Sequence, residues 1–494
     1  MKARNKAAAL ILIGSVFSCT DLHKDPIGLL TPEQVSTDPT LNSVQLSVTS
    51  SYQMLASTLN LLNEWRWDLG TVFRNDFIVD DIASDDVKKK WNPDGDQAWM
   101  DQVSTFNFTA SNGAFNGQWT YDYEGINRAN AAISYLVDPA VVAKTGIDAA
   151  EKNRLLGEVY FLRAFYYFDL VNNFGDVPLL LTPLQDFSEA YAAAKRESKD
   201  KVYTQISADL AQAKTLLPST KYPVSTEKWR VSKGAVIAMQ AKVALYNQKW
   251  TEVITLVTEL ENLGFYSLNA NYFDNFNVAD EFTENEVIFA YDHQSAQNPS
   301  KGNGLAAPLQ WGFMAPTDNF LSEFEADDPR SLLTVNVTDK AVYKLLGATN
   351  TIYKGNDDSP GNRIYIRFAD ALLWKAEAYN ETAQFAPAIA IINQIRARAR
   401  TSLTADGTTV PPAGALPDRP ASTDKAQIKA WLIHERRVEL GFESQRFNDL
   451  KRWGIAKQVL SALGKNFQDY NYLYPIPQSE IDRSGGSITQ NPGY

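Results

Sequence analysis

Apolar residues recur at helical spacing through much of the chain. Trp119, Tyr123, Ile126, Ala129, Ile133 and Leu136 fall on one side of a 3.6-residue turn, and Leu155, Val159, Leu162, Tyr166 and Leu170 do the same. Gly175 and Pro178 end the second run. Further helices are predicted over 41–62, over 202–217 ahead of Pro218, over 232–247, over 251–263 ahead of Gly264, and after Thr423 and Asp424. Two hairpins share a spacing, Ala241, Trp250 and Val253 in one and Ala376, Phe385 and Ala388 in the other, where Ala371, Leu372 and Tyr379 also fit. Small residues let two helix backbones approach, and the aromatic closes the open end of the pair, as in tetratricopeptide-like arrays. The pattern predicts a mostly α protein.

The period lapses over 63–118 and 265–363, where Gly, Asn, Asp and Pro recur and only short strand-like runs such as EVIFAY (286–291) stand out. Of 11 tryptophans, Trp65, Trp67, Trp91, Trp99 and Trp119 fall in or at the edge of the first lapse. Loop-rich stretches this long are usually functional or disordered, and large aromatics argue against disorder. The expected organisation is one domain over 41–494. Helical hairpins occupy 119–264 and 364–454, a ligand lobe is built from 63–118 and 265–363, a Pro/Gly/Thr insertion covers 401–424, and a stiff strap closes the chain over 472–494.

The front of the chain changes the picture of where the protein works. Lys2, Arg4 and Lys6 precede an apolar run over 7–17, then the small Ser18 and the sole cysteine, Cys19. Residues 1–18 have the layout of a secretory signal too short to span a bilayer, and a thiol in this place looks like a bacterial lipid-attachment site. Residues 19–40, polar and proline-punctuated, then serve as anchor and tether. The formal charge is −11, and loss of the signal makes it three units more negative, which argues against nucleic acid and anionic lipid as partners. With one cysteine no internal disulfide forms. The three histidines, His23, His293 and His434, are not spaced as metal ligands, so no metal or other cofactor is expected.

Four stretches carry a family resemblance: FLRAFYYFDLVNNFGDVPL (161–179); IYIRFADALLWKAEAYN (364–380) with IINQIRARA (391–399); IKAWLIHERRVELGFESQRFNDLKRWG (428–454); and YLYPIPQSEIDRSGGSITQNPGY (472–494). Over nearly the whole mature chain these resemble the SusD/RagB family of nutrient-binding surface lipoproteins. Arg483 and Ser484 depart from the Asn often found before the final QNPGY. The resemblance implies a tetratricopeptide-like helical scaffold with an irregular ligand lobe, anchored to the outer membrane through lipid alone and exposed at the cell surface, where Asp21 and Asp25 accompany display. It implies capture of an oligosaccharide and a partner, a SusC-like TonB-dependent transporter. A peptide ligand is the alternative of the same architecture, and a surface glycoside hydrolase the weaker one.

The residues supply a mechanism for sugar capture and little for catalysis. Glu435 and Glu439 lie one helical turn apart with Arg436, Arg437, Arg446, Asp449 and Arg452 nearby, which reads as a structural ion network holding both carboxylates ionised. Asp76, Asp80, Asp81, Asp85 and Asp86 lack the glycine-punctuated pattern of a calcium loop and read as a solvated acidic loop. A pyranose offers an apolar C–H face to an indole and hydroxyls to amides and carboxylates. Aromatics on helices, Trp374, Trp431 and Trp453, are expected in the core. Loop aromatics are the candidates: Trp91 and Trp99 with Asn92 and Asp94 between them, Trp311, Tyr291 with His293, and the pair Trp65 and Trp67.

Overall fold

A computed structural model describes residues 38–184 and 193–494; the expected signal segment, Cys19 and the expected tether up to residue 37 lie outside the described residues. Side-chain caps set where most long helices begin. Thr40 caps α1 (Leu41–Tyr52), Asn112 caps α2 (Gly113–Val137), Asp148 caps α3 (Ala149–Phe174), Ser198 caps α4 (Lys199–Leu216) and Ser232 caps α5 (Lys233–Tyr246), each accepting from a backbone N–H of the first turn. Then come α6 (Trp250–Asn262), α7 (Phe368–Glu381), α8 (Phe385–Thr401) and α9 (Lys425–Leu440), the last capped by Asp424. The helix expected over 41–62 stops at Tyr52. A 3₁₀ turn follows and Ala56 is extended, because Ser57 and Thr58 bond to the 302–304 backbone and to His293 instead of continuing the helix.

Neighbouring helices pack in chain order. α2 lies on α1 and α3, α4 on α3 and α5, α6 on α5, and α7 on α6, α8 and α9. Ala241, Val253, Ala376 and Ala388 are buried at the hairpin contacts. This is the tetratricopeptide-like helical scaffold.

The stretch between α6 and α7 leaves the scaffold and returns to the same place, since those two helices pack on each other. Four strands tie it down: β1 (Val87–Lys88), β2 (Val287–Tyr291), β3 (Ala315–Pro316) and β4 (Arg363–Arg367). β2 and β4 pair antiparallel, closing the excursion at its base. β1 and β3 pair antiparallel with Val87 opposite Pro316 and Lys88 opposite Ala315, stitching the two loop-rich stretches together. The C-terminal strap is fastened to the end of α3. Tyr474 donates its N–H to the Asn173 carbonyl (2.7 Å) and its hydroxyl to the Val79 carbonyl (2.6 Å), and the Asn491 amide donates to the carbonyls of Phe174 and Tyr474.

Charge is buried on an unusual scale. Glu439 accepts from Arg330 (3.0 Å), Arg367 (2.7 Å) and Arg398, and Glu435 accepts from Arg330 (2.7 Å) and Arg396 (3.2 Å). Burial opposes the Glu439 charge, yet Arg398, Arg367 and Arg330 outweigh it and hold the carboxyl well below its usual range. The acidic run 76–86 is not solvated. All five of its aspartates are buried. Part of the run is a π-helical turn, Phe77–Ile82. Asp85 takes both bonds of Arg446 (2.8 Å each), Asp86 takes Arg437 (2.6 Å), Asp76 takes Arg363 (3.3 Å), and Asp81 accepts from Ser444. Partners hundreds of residues away turn a loop into core.

Candidate functional site

Two loops meet on one face because of short-range geometry. The first, residues 60–71, lies flat against the start of α2. A Cβ on Gly70 would stand 2.1 Å from the Gly113 carbonyl oxygen, and one on Gly117 2.1 Å from the Gly70 oxygen, so only glycine permits this approach. Within the loop Asn60, Asn63 and Trp65 all adopt positive φ, and the Asn60 carboxamide oxygen accepts the Trp65 N–H at 2.7 Å. The second loop, residues 310–314, follows from the β1–β3 pairing. Continued outward, that register sets Trp91 opposite Gly312, and the Trp91 N–H donates to the Gly312 carbonyl at 3.2 Å. Gly312 has φ +81°, a conformation other residues reach only with strain.

The result is an aromatic cluster with Trp67 as its hub. Trp65 meets Trp67 edge to face at 6.3 Å between centroids, and Trp311 meets it at 5.8 Å. Phe73 and Phe313 wedge Trp67 from below at 5.6 and 6.0 Å. Trp67 is largely covered, while Trp65 is 51% exposed and Trp311 41% exposed. Polar groups edge the patch. Arg66 and Asp68 form an exposed bidentate pair. The Asn92 amide lies between the Trp91 carbonyl and the Lys340 ammonium at 3.2 and 3.1 Å. Lys90 sits 4.8 Å from the Phe313 ring and is bonded to Asp94, whose carboxyl it holds below the usual range.

The fold therefore brings together Trp65, Trp67, Trp91, Trp311, Asn92 and Asp94. It sets Trp99 apart. That residue belongs to a helix, Ala98–Thr105, packs on the core and spends its indole N–H on Gln97 (2.7 Å). Tyr291 stands at the end of β2 with its ring edge-on to His293 at 4.8 Å. His293 itself is buried, and its Nε2 accepts the Ser57 N–H at 3.1 Å, so it holds the chain leaving α1 and offers nothing to a surface ligand. Phe313, Lys340 and Asn60 were missed. A phenylalanine two places from Trp311 was the available signal; the other two depend on contacts across the loops.

His293 makes a prediction. Burial, reinforced by Arg363, pushes its pKa from 6.5 down to about 3. The unfolded chain takes up a proton over that interval and the folded chain does not, so this contribution is complete above pH 6.5 and is lost as pH falls toward 3. His293→Gln is expected to be less stable than the parent at pH 7.5, with the gap closing by roughly 2 kcal/mol at pH 5. Urea unfolding at both pH values checks it; a gap that stays constant refutes it.

Residues 248–494 match the family model described as the SusD family, and residues 35–245 match one described as "Starch-binding associating with outer membrane". The chain belongs to the SusD family. SusD-like protein P2 of Formosa agariphila is 26% identical, with 99% of each chain covered. A structure titled "Laminarin binding SusD-like protein" superposes with a TM-score of 0.74 at 25% identity, covering 92% of this chain and 100% of that one. Surface glycan-binding protein A from Bacteroides thetaiotaomicron, in complex with laminarihexaose, shares the SusD fold with a TM-score of 0.71 at 21% identity, covering 92% and 99%.

Proposed function

We propose that this SusD-family protein captures an oligosaccharide on the Trp65–Trp67–Trp311 patch, beside Trp91 and Asn92, and does no chemistry on it. The carrying observation is the pair of open indoles, Trp65 and Trp311, each set against Trp67 by one of two loops far apart in sequence. A sugar's C–H face loses water against such a ring while its hydroxyls pair with the rim. The laminarin and laminarihexaose named for two similar structures support a glycan as the ligand. Catalysis by Glu439 is disfavoured physically, because a general acid needs a raised pKa and its carboxyl is held below the usual range by Arg398, Arg367 and Arg330; Glu435 is fully buried in bonds to Arg330 and Arg396. Tyr291, Trp99 and His293 take no part in this reading.

The same reading places the protein at the outer cell surface, tethered through Cys19, and passing its ligand to a TonB-dependent transporter of the SusC type. Fatty-acid labelling that survives Cys19→Ser counts against the tether, and mild-detergent extraction that brings down no large β-barrel counts against delivery. The binding claim is tested by titrating the full chain in detergent with a panel of oligosaccharides while assaying release of reducing ends. Binding without cleavage is the expected result; cleavage, or peptide binding with no sugar binding, sinks it.

A further inference from the structure

We infer that the oligosaccharide runs past Trp65 into a cavity between α2 and the C-terminal strap, where a neutral sugar is held; this rests on the oligosaccharide reading and adds a second contact to it. The cavity measures about 450 Å³. Small-molecule pockets run from roughly 300 to 1,000 Å³. One wall is a face of α2, on which Trp119, Tyr123, Ile126 and Asn127 recur at helical spacing. Leu180 and, from the strap, Ile488 add apolar surface. The walls are tied to each other. The Tyr123 hydroxyl donates to the Pro178 carbonyl (2.8 Å), and the Asn130 amide donates to the Leu180 carbonyl (3.0 Å). Loop 60–71 supplies Leu62 and Glu64. Glu64 directly precedes Trp65, so the cavity wall and the open indole of the patch are neighbours in the chain, about 3.8 Å apart between Cα atoms.

The polar groups of this cavity lack partners. Trp119 is only 4% exposed, yet its indole N–H makes no hydrogen bond among the described residues, and neither do the side chains of Thr120, Asn127 and Glu64. Buried polar groups are nearly always bonded, so an indole N–H left over at a cavity wall points to a ligand acceptor. Beside it stand a hydroxyl, a carboxamide and a carboxylate, next to the Tyr123 ring and aliphatic side chains. A pyranose answers both sets, its C–H face against the apolar wall and its hydroxyls against the polar groups. Charge narrows the class. The lining carries Glu64, Glu124 and Glu480 against Arg483 alone. Glu124 is paired with Arg128 (2.7 Å) and Glu480 with Arg483 (2.9 Å), which leaves Glu64 without an ion pair among the described residues. A carboxylated or sulfated sugar is therefore repelled and a neutral one accepted.

The test is calorimetric titration of the full chain in detergent with maltohexaose, laminarihexaose and cellohexaose, with thermal unfolding of each variant alongside. Asn127 is exposed on α2, so its replacement disturbs no core. Asn127→Trp, which fills the cavity, is expected to weaken the tightest-binding hexasaccharide about tenfold. Asn127→Ala, which removes one polar partner, is expected to weaken it about threefold. One site per chain is expected throughout, with the same hexasaccharide weakened in Trp311→Ala. Parent-like affinity in folded Asn127→Ala and Asn127→Trp, with the loss in Trp311→Ala intact, overturns the cavity and leaves sugar capture standing. Two sites per chain, one lost in Asn127→Trp and the other in Trp311→Ala, overturn the shared ligand. No binding of any of the three to the parent overturns sugar capture, and the cavity with it.

Discussion

Trp311→Ala is expected to weaken oligosaccharide binding about 30-fold, a cost of about 2 kcal/mol, with the melting temperature lowered by no more than about 3 °C. The two effects separate because of where the ring sits. Trp311 is 41% exposed and rests on Trp67 and Phe313 without filling space beneath them. Removing it opens no enclosed cavity, so the large stability penalty of a core truncation does not arise. In the proposed binding mode a sugar ring covers the open indole face, and loss of the ring would leave that sugar in water. Trp67→Ala is the informative contrast. That ring contacts Trp65, Phe73, Trp311 and Phe313, so its loss is expected to lower stability and binding together. Calorimetric titration alongside thermal unfolding reads both quantities. Unaltered affinity in folded Trp311→Ala would remove the patch from the function.

Glu439→Gln is expected to lose about 3–5 kcal/mol of stability and to change binding only through the folded fraction. The carboxylate contacts three guanidiniums, those of Arg330, Arg367 and Arg398, and all four groups are buried. A neutral amide removes the carboxylate that all three cations share; Arg330 keeps Asp328 and Glu435, Arg367 keeps Glu286 and Glu443, and Arg398 keeps Glu286, but the buried network is left one negative charge short in a medium that screens poorly. The same geometry fixes the pH behaviour. Because the Glu439 carboxyl is held below its ordinary range, its stabilisation is present above the unfolded carboxylate pKa of 4.5 and is lost as pH falls through the folded value. Urea unfolding from neutral to acid pH checks both; a Glu439→Gln chain as stable as the parent would show the network to be idle.

The scaffold was legible because helices advertise themselves through local repetition. Ala241, Trp250, Val253 and their counterparts Ala376, Phe385 and Ala388 announced two hairpins, and α5 to α8 appear where expected. The ion network around Glu435 and Glu439 was legible in kind but not in its partners. Arg436, Arg437, Arg446 and Arg452 pair with Asp449, Asp86, Asp85 and Glu377 instead, and the guanidiniums that reach the two glutamates are those of Arg330, Arg367, Arg396 and Arg398, none of them on the 428–454 segment. The site was legible only as a set of residue types. Strands of two residues, such as Val87–Lys88 and Ala315–Pro316, carry no periodic signal, yet their pairing is what sets Trp91 beside Gly312. Trp99 was placed in a loop because the eight-residue helix that turns it inward starts at Gln97 in a left-handed conformation and has no side-chain cap to mark it. The acidic run was misjudged for the opposite reason. A dense local charge pattern suggests water, and nothing nearby in sequence reveals that Arg363, Arg437 and Arg446 come to meet it.

Those late arginines bear on how the molecule is made. The aspartates of 76–86 leave the ribosome early, and the groups that meet them, in Arg363, Arg437, Ser444 and Arg446, follow 287 to 363 residues later. A nascent chain synthesised from its N-terminus cannot complete this core until Arg446 has been made. Premature compaction is thereby discouraged, and a chain terminated before these arginines would be left with uncompensated acids inside and open to proteolysis.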